Sequence, residues 1–180
     1  MRTASFPSST GVDAGLECHV AADAAVLAEH FALRRSVFVL EQGIFAGDDR
    51  DEHDADGRTL HVVGLVGGEV GGAVRLYPLD ASGDLWKGDR LAVLPEYRTC
   101  HLGARLVRFA VATAGSRGGR RMIAHIQLPN VRFFEHLGWR VEGSPAPFHG
   151  AEHQLMAIAL GPGKPSPAQP AEPAASGRVR

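Results

Sequence analysis

The most chemically informative part of the chain is segment 90–104, which reads RLAVLPEYRTCHLGA. An apolar run ends there in a basic, glycine-containing turn directly before a predicted helix. The first N–H groups of a helix lack backbone partners, and with the helix dipole they favour an anion such as pyrophosphate. Arg98 can add a charge-assisted hydrogen bond, and Gly103 lets a phosphate approach the backbone closely. The same spacing also fits a strand–turn–helix unit in which the glycine serves packing alone.

This loop resembles the phosphate loop of the GNAT superfamily of N-acetyltransferases, which reads Arg or Gln, two residues, Gly, one residue, then Gly or Ala. Arg98 and Gly103 match that pattern, and His101 takes the place of its first glycine. In the family, the strand before the loop borders a gap in the sheet that holds the pantetheine arm of CoA. The resemblance implies acetyl-CoA as cofactor, bound by Leu91, Val93, Leu94, Arg98, His101, Leu102, Gly103 and Ala104.

A second match lies at 130–139, NVRFFEHLGW, which resembles the family's YEKLGF ending. It implies that Asn130, Phe133 and Phe134 also contact the cofactor. In many family members the aromatic residue of this ending is a tyrosine that protonates the departing CoA thiolate, whereas Phe134 has no proton to give. The alternative interpretation is that these aromatic residues belong to the hydrophobic core.

A third match, RRSVFVLEQ at 34–42, resembles the acceptor-side helix of an ElaA-like branch of the family. In that branch an acidic loop follows the helix. A histidine lies near the start of the last strand, where this chain has His153. The resemblance covers about residues 20–160 of the sequence.

Acetylation of an amine requires a base and hydrogen-bond donors for the oxyanion of the tetrahedral intermediate. The resemblance places the oxyanion donor at the amide of Val93. The candidate bases are Asp89, near where many relatives carry a glutamate, Glu41 after the Val-Phe-Val run, and His125 and His153. Histidine titrates in a suitable range, and the resemblance favours His153. Each of these residues could instead have a purely structural role. Asp89 could be a turn residue, Glu41 a carboxylate at the end of a helix, and His153 an ordinary strand residue.

Residues 43–58, GIFAGDDRDEHDADGR, predict an exposed acidic loop with a short helix. We interpret its acids as solvated. A second interpretation is that Asp48, Asp49, Asp51 and Glu52 attract a cationic amine to the cleft. The segment EHDADG imitates the start of a calcium loop, but the glutamate that should complete one is missing, and no set of zinc ligands is apparent. We therefore expect no metal.

Strands and helices follow one another in an order that indicates an α/β (α+β) fold. Periodicity predicts helices at 23–38, where Asp23 can cap the helix start, and at 103–114 and 130–137. Gly67 and Gly68 predict a tight hairpin between the second and third strands. The resemblance implies the GNAT-like form of this fold: a mixed, largely antiparallel central sheet with splayed middle strands, flanked by helices. The predicted strands are 16–21, 59–66, 69–77, 90–94, 121–127, 139–148 and 153–160.

Length and composition narrow the functional classes. The 180 residues, 44% of them hydrophobic, suit one domain at 16–160 between two tails, 1–15 and 161–180, that we expect to be disordered. The net charge of -1 argues against nucleic acid or an anionic membrane as partner. The absence of a signal peptide or spanning segment, with two cysteines that match no metal or redox spacing, predicts a cytoplasmic protein.

Together these observations predict an acetyl-CoA-dependent N-acetyltransferase that transfers the acetyl group directly to an amine. The acceptor is a small-molecule or protein amine that the sequence does not identify, and a homodimer is left open. One alternative is a catalytically silent domain that binds or senses acyl-CoA, which His101 and Phe134 would suit. Another alternative is an enzyme like the acyl-homoserine-lactone synthases, which have a related fold. The segment ALRRSVF, followed by an acidic loop, also resembles those enzymes.

Overall fold

The computed structural model of the protein describes residues 15–161. This part forms one sheet of seven strands with three α-helices. The disordered tails predicted at 1–15 and 161–180 lie outside the described residues, apart from Gly15 and Gly161. The elements are β1 (Leu16–Val20), α1 (Ala24–Arg35), β2 (Leu60–Val66), β3 (Glu69–Pro78), β4 (Leu85–Val93), α2 (Leu102–Ser116), β5 (Arg121–Gln127), α3 (Val131–His136), β6 (Arg140–Phe148) and β7 (Ala151–Ala159).

The sheet has the strand order β1-β2-β3-β4-β5-β7-β6, and neighbours are antiparallel except for β4 and β5. The parallel pairing joins only Leu85–Lys87 to Arg121–Ile123, although β4 continues to Val93 and β5 to Gln127. The two strands therefore diverge, and a wedge-shaped gap opens in the middle of the sheet. The prediction of a mixed, largely antiparallel sheet with splayed middle strands is confirmed.

The fourth strand begins earlier than the sequence predicted. β4 starts at Leu85 and not at residue 90, so Asp89 lies inside a strand and not in a turn. The segment WKGD looks like a turn because Lys, Gly and Asp are all depleted in strands. In the structure Trp86 is buried, and a Cβ added to Gly88 would lie 3.4 Å from the sulfur of Met122. This glycine therefore serves close packing.

A β-bulge interrupts β4 directly after Asp89. Two residues of this strand, Arg90 and Leu91, lie opposite the single residue Val74 of β3. Arg90 adopts the left-handed conformation, with φ of 51°. A bulge bends its strand and increases the local twist, which supports the divergence of β4 from β5.

The larger core lies between α2 and the sheet. The buried apolar side chains of α2 recur at helical spacing and are Leu102, Leu106, Val107, Ala110 and Ala114. Close contact with the sheet depends on Gly64 and Gly72, because an added Cβ would come within 2.9 Å of Leu102 and 2.7 Å of Leu106, respectively. This packing fixes where α2 begins relative to the end of β4.

Helix α1 covers the opposite face of the sheet. The Asp23 carboxylate caps it by accepting two amide hydrogen bonds of 2.9 Å from its first turn, as the sequence predicted. Beyond Arg35 the chain continues as a π-helical turn, Ser36–Glu41, that buries Val37 and Phe38. A second, smaller core forms around these side chains.

Two arginines, Arg34 of α1 and Arg75 of β3, are fully buried on this side of the sheet. An ionised group in the protein interior requires charged partners, because its lost hydration otherwise costs several kcal/mol. For Arg34 these partners come from the acidic loop: Nε donates to Asp49 at 2.8 Å and Nη1 to Asp54 at 2.6 Å. Arg34 therefore fastens residues 43–58 to the helix.

Arg75 extends this ion-pair network across the sheet. Its Nε and Nη2 donate to the two oxygens of Asp89, each at 2.8 Å, and its Nη1 donates to Asp51 at 2.5 Å. Arg90 donates to Asp51 at 3.1 Å. We refer to the whole set as the buried arginine network, which comprises Arg34, Arg75, Arg90, Asp49, Asp51, Asp54 and Asp89.

The acidic loop is therefore not simply solvated, and that interpretation was wrong for Asp49, Asp51 and Asp54. A short helical turn at Glu52–Ala55 was expected and is present, capped by Asp51. Only the remaining acids, such as Asp48 and Glu52, point to solvent. The loop is held by charge pairing, because it contributes few apolar side chains of its own.

Replacement of Arg75 tests the energetic importance of the network. The substitution Arg75→Met should lower the free energy of unfolding by about 3–5 kcal/mol, because it leaves the mostly buried carboxylate of Asp89 without its guanidinium partner. Urea denaturation at neutral pH measures the change. The matched control, Arg120→Met, removes an arginine whose side chain is 82% exposed and should alter stability by less than about 0.5 kcal/mol. Equal effects of the two variants would contradict this account.

His30 is a fully buried neutral base within the same region. Its Nδ1–H donates to the Val62 carbonyl at 3.1 Å, so that Nε2 is left to accept from Arg34 at 3.5 Å. Burial, followed by the charges of Arg34 and His61, lowers the pKa of His30 from 6.5 to about 3. The unfolded chain therefore binds a proton at this residue before the folded one does.

Stability should consequently fall as the pH drops below about 6.5 toward 3. The folded-state pKa is depressed, so the contribution of His30 is complete above 6.5 and declines by about 1.4 kcal/mol per pH unit below it. Urea denaturation between pH 7.5 and about 5 measures this slope, and His30→Gln should make it shallower. Independently, the NMR signal of the His30 ring should not titrate in that range, and a midpoint near 6.5 would refute the assignment.

Candidate functional site

A cleft passes through the sheet where β4 and β5 separate, with an empty volume of about 980 Å³ that is partly open to solvent. Pairing across strands sets which side chains share a face: Lys87 lies opposite Ile123, and Gln127 lies opposite His153. Because side chains alternate along a strand, Lys87, Asp89, His125 and His153 all point toward the face that α1 covers. The other mouth of the cleft lies beside α2 and α3.

The predicted phosphate loop lies at the α2 mouth. α2 begins at Leu102, and its N-cap residue, His101, provides no side-chain hydrogen bond to the first-turn amides. His101 adopts φ 65° and ψ 11°, the left-handed region that favours glycine. A left-handed backbone at this position is consistent with the glycine of the family pattern that the sequence analysis noted.

Gly103 lies between Val93 at the end of β4 and Phe133 of α3. A Cβ added to it would make only ordinary contacts, 3.6 Å from Val93 and 3.7 Å from Phe133. The neighbouring Ala104 is partly exposed, whereas the Leu102 side chain is fully buried in the core. Of these residues, Leu102 can offer a ligand only its backbone.

Arg98 and Glu41 form a surface ion pair. Arg98 Nη2 donates to the Glu41 carboxylate at 2.6 Å, and Arg98 Nε donates to the Val93 carbonyl at 3.0 Å. This hydrogen bond from Arg98 lowers the pKa of Glu41. The structure thus brings the predicted phosphate ligand and one predicted base into direct contact, at the end of the strand that leads into the loop.

The end of β4 presents its backbone to the gap. The Leu94 amide donates to the Gly71 carbonyl of β3 at 3.0 Å and is therefore turned away from the cleft. Adjacent residues of a strand direct their backbone groups to opposite sides, so the Val93 N–H points toward β5. Leu91 lines the cleft with its side chain.

The aromatic residues near α3 divide between core and cleft. Phe134 is 6% exposed and packs edge-to-face against Phe133 and Trp139, and it also lines the cleft. Phe133 is 37% exposed and lies next to Gly103. Asn130 lies at the start of α3, and it lines the cleft with an exposed side chain.

Asp89 lines the cleft but is occupied. Both of its oxygens accept hydrogen bonds from Arg75, and the Tyr77 hydroxyl donates to it at 3.3 Å. Its carboxylate is therefore fully engaged in hydrogen bonds with Arg75 and Tyr77.

The two candidate histidines lie on neighbouring strands at the α1 mouth. His153 Nδ1 lies 3.0 Å from the Ala151 carbonyl and donates to it, because a carbonyl only accepts; in the neutral form of the ring, this tautomer leaves Nε2 as the acceptor. His125 stacks on Phe148 with ring centres 4.4 Å apart, and its buried Nδ1 has no hydrogen-bond partner among the described residues. Burial, followed by the nearby charge of Lys87, lowers the pKa of His125.

The sequence analysis missed four residues that form the α1 mouth: Phe45, Lys87, Phe148 and His149. The rings of Phe45 and Phe148 both contact His149, at 5.1 and 4.2 Å between centres. Lys87 would have been found if β4 had been predicted to start at Leu85, since it alternates with Asp89 along that strand. The contacts of Phe45 and Phe148 join parts of the chain that no local pattern connects.

Two further features concern metals and membranes. Within residues 15–161, no group of three or more His, Cys, Asp or Glu side chains is arranged to hold a metal ion. The helices in this range are too short or too polar to cross a bilayer. Both cysteines, Cys18 and Cys100, are free thiols.

Comparison with solved structures supports the fold. Escherichia coli ElaA superposes with a TM-score of 0.69 and 21% identity, covering 79% of this chain and 97% of ElaA. The CoA-dependent acyl-homoserine lactone synthase BjaI, solved with SAM and isopentyl-CoA, gives a TM-score of 0.66 and 20% identity over 81% of this chain and 83% of BjaI. At these identities the comparison shows a shared fold, and BjaI illustrates that this fold binds an acyl-CoA.

Sequence comparison identifies the family. A Bacillus subtilis (strain 168) protein provisionally named an acetyltransferase is 29% identical over 127 residues, which is 70% of this chain and 84% of that protein. The model of the Acetyltransferase (GNAT) family matches residues 27–139. That match covers more than half of the chain and includes the predicted phosphate loop, the divergent strands and α3. The chain belongs to the GNAT family of acetyltransferases.

Proposed function

We propose that this protein is an acetyl-CoA-dependent N-acetyltransferase that transfers the acetyl group directly to an amine. The observation that carries the proposal is the position of His153, which lines a cleft whose other mouth lies beside the first turn of α2. The two free thiols fit a reducing compartment, and we propose the cytoplasm.

The cofactor would enter from the α2 mouth. Its pyrophosphate would lie on the first amides of α2, at 102–104, with the positive end of the helix dipole behind them. Arg98 would exchange its exposed partner Glu41 for a phosphate oxygen, since both groups are solvent-accessible and the pair is weak. Phe133 and Asn130 would border the pantetheine arm, which would run along β4 past Val93.

The reaction then needs few protein groups. The neutral amine attacks the thioester carbonyl, and the developing oxyanion accepts a hydrogen bond from the Val93 N–H. His153 Nε2 takes the proton that the amine loses, after which the C–S bond breaks and CoA leaves as the thiolate. A free thiol has a pKa of about 8.5, so the thiolate can leave without a dedicated acid, and Phe134 in place of tyrosine does not prevent turnover.

The other candidate bases are less suited to this role. Asp89 is neutralised by Arg75, and Glu41 lies at the surface in contact with Arg98. His125 is the second candidate, because its pKa is lowered and its ring is therefore neutral at pH 7. Its stacking on Phe148 restricts how far that ring can turn toward an acceptor.

Two alternative functions remain distinguishable. A silent acyl-CoA-binding domain would bind acetyl-CoA and release no CoA with any amine. An enzyme like BjaI would use SAM as acceptor, so turnover of isopentyl-CoA with SAM, in the absence of other amines, would favour it. The fold likeness to BjaI is the observation that keeps this second alternative open.

Gly103 variants test whether the α2 start holds the cofactor. Isothermal titration of the wild type with acetyl-CoA should give micromolar binding, and Gly103→Glu should abolish it because a carboxylate would face the pyrophosphate. Gly103→Ala is the matched control: the structure has room for a Cβ, so binding should survive. Wild-type protein that binds no acetyl-CoA would overturn the proposal.

His153 variants test the base. His153→Gln should lower kcat/KM for the amine by about 10²- to 10⁴-fold and leave acetyl-CoA binding intact.

His19→Gln is the matched control for this experiment, because His19 is exposed on the edge strand β1. It should retain full activity. A normal rate in His153→Gln, with loss of activity in His125→Gln, would transfer the role to His125.

A further inference from the structure

Lys87 is a cation that faces the α1 mouth without an anionic partner. Its Nζ lies 5.3 Å from the centre of the Phe148 ring and 6.0 Å from that of Tyr77. Among residues 15–161 no carboxylate forms an ion pair with it. Lysines normally extend their ammonium group into water, whereas this one is partly buried and lines the cleft.

The acidic groups near this mouth are already neutralised. Asp89 is the carboxylate that lines the cleft, and Arg75 occupies both of its oxygens. Arg90 also lines the cleft, but it is bound to Asp51 and is covered by the Phe45 ring at 4.7 Å. Of the Lys, Arg, Asp and Glu side chains that line the cleft, Lys87 is therefore the one that has no ion-pair partner within residues 15–161.

The walls around Lys87 are apolar and aromatic. Phe38 and Phe45 contact each other edge-to-face, with ring centres 6.4 Å apart, and Ile44 lines the cleft beside them. Phe148 forms the opposite wall from the β6–β7 hairpin. Aromatic walls of this kind can bind a flat hydrophobic group.

We infer that the acceptor is an amine on an aromatic-sized apolar body that also carries a carboxylate, and that Lys87 binds this carboxylate. The inference rests on the proposed function and specifies its substrate class. A carboxylate fits better than a phosphate, because one ammonium matches one negative charge and a phosphate monoester carries nearly two. The His153 ring centre lies 5.4 Å from that of Phe148, so Lys87 and His153 border the same aromatic ring. An amine and a carboxylate a few bonds apart, as in an aromatic amino acid, would reach both.

The test compares two acceptors in two proteins. Rates of CoA release are measured for L-phenylalanine and 2-phenylethylamine, which differ by the carboxylate, with the wild type and with Lys87→Met. The variant should lower kcat/KM for L-phenylalanine at least about tenfold more than for 2-phenylethylamine, because only the former loses a charge-assisted bond. The comparison between proteins cancels the difference in basicity between the two amines. Lys87→Arg should restore most of the selectivity.

Arg120→Met is the matched control, since it removes a cation at the surface and should leave the ratio of the two rates unchanged. Equal losses for both acceptors in Lys87→Met would overturn the inference while leaving the acetyltransferase proposal standing. A preference of the wild type for spermidine over L-phenylalanine would overturn it as well.

Failure of the proposed function would give a different result. If no amine releases CoA, binding of N-acetyl-L-phenylalanine to the CoA-loaded protein replaces the rate measurement. Binding that weakens about tenfold in Lys87→Met would support the carboxylate site in a silent domain. Absent binding, or equal binding to wild type and variant, would overturn the inference.

Discussion

The arrangement of the α1 face depends on the need to compensate buried guanidinium groups. Arg34 and Arg75 are fully enclosed, and their carboxylate partners come mainly from a loop that has little apolar surface of its own. Satisfying these charges draws residues 43–58 onto the sheet. The same loop carries Ile44 and Phe45, which become a wall of the cleft. The buried arginine network therefore positions this wall of the cleft, although its charged groups take no part in the proposed chemistry.

The gap in the sheet is the second determinant. β4 and β5 pair at their beginnings and then separate, and the bulge at Arg90 and Leu91 turns the end of β4 away. Without that separation, the Val93 amide would donate its hydrogen bond to a neighbouring strand. With it, a backbone donor and an entire strand edge become available to a ligand in the middle of the fold. The positions of Gly64 and Gly72 complete the site, because they let α2 approach and begin next to that edge.

Local chemistry made much of this predictable from sequence. The Asp23 cap, the Gly67–Gly68 hairpin and the loop before α2 each depend on residues close together in the chain, and each is found where it was expected. The network was missed because its pairs are distant: Arg34 and Asp54 are 20 residues apart, and Arg75 and Asp51 are 24 apart. Lys87 was missed for a different reason, since the composition of WKGD favours a turn while buried neighbours impose a strand. The roles of the site residues remain predictions, which the geometry ranks but does not test.

The passage of the cleft through the sheet separates the two halves of the site onto different elements. In the proposed function, the cofactor half would use the end of β4, α2 and α3, whereas the acceptor half would use the acidic loop, the β6–β7 hairpin and the side chains of β4 and β5 that face α1. Substitutions in the second set would then leave the proposed cofactor contacts of the first unchanged. Related proteins with this arrangement could then differ in the molecules they modify while they keep the same acyl donor. Residues at the tip of the β6–β7 hairpin, such as Phe148 and His149, are where we expect such sequence differences first.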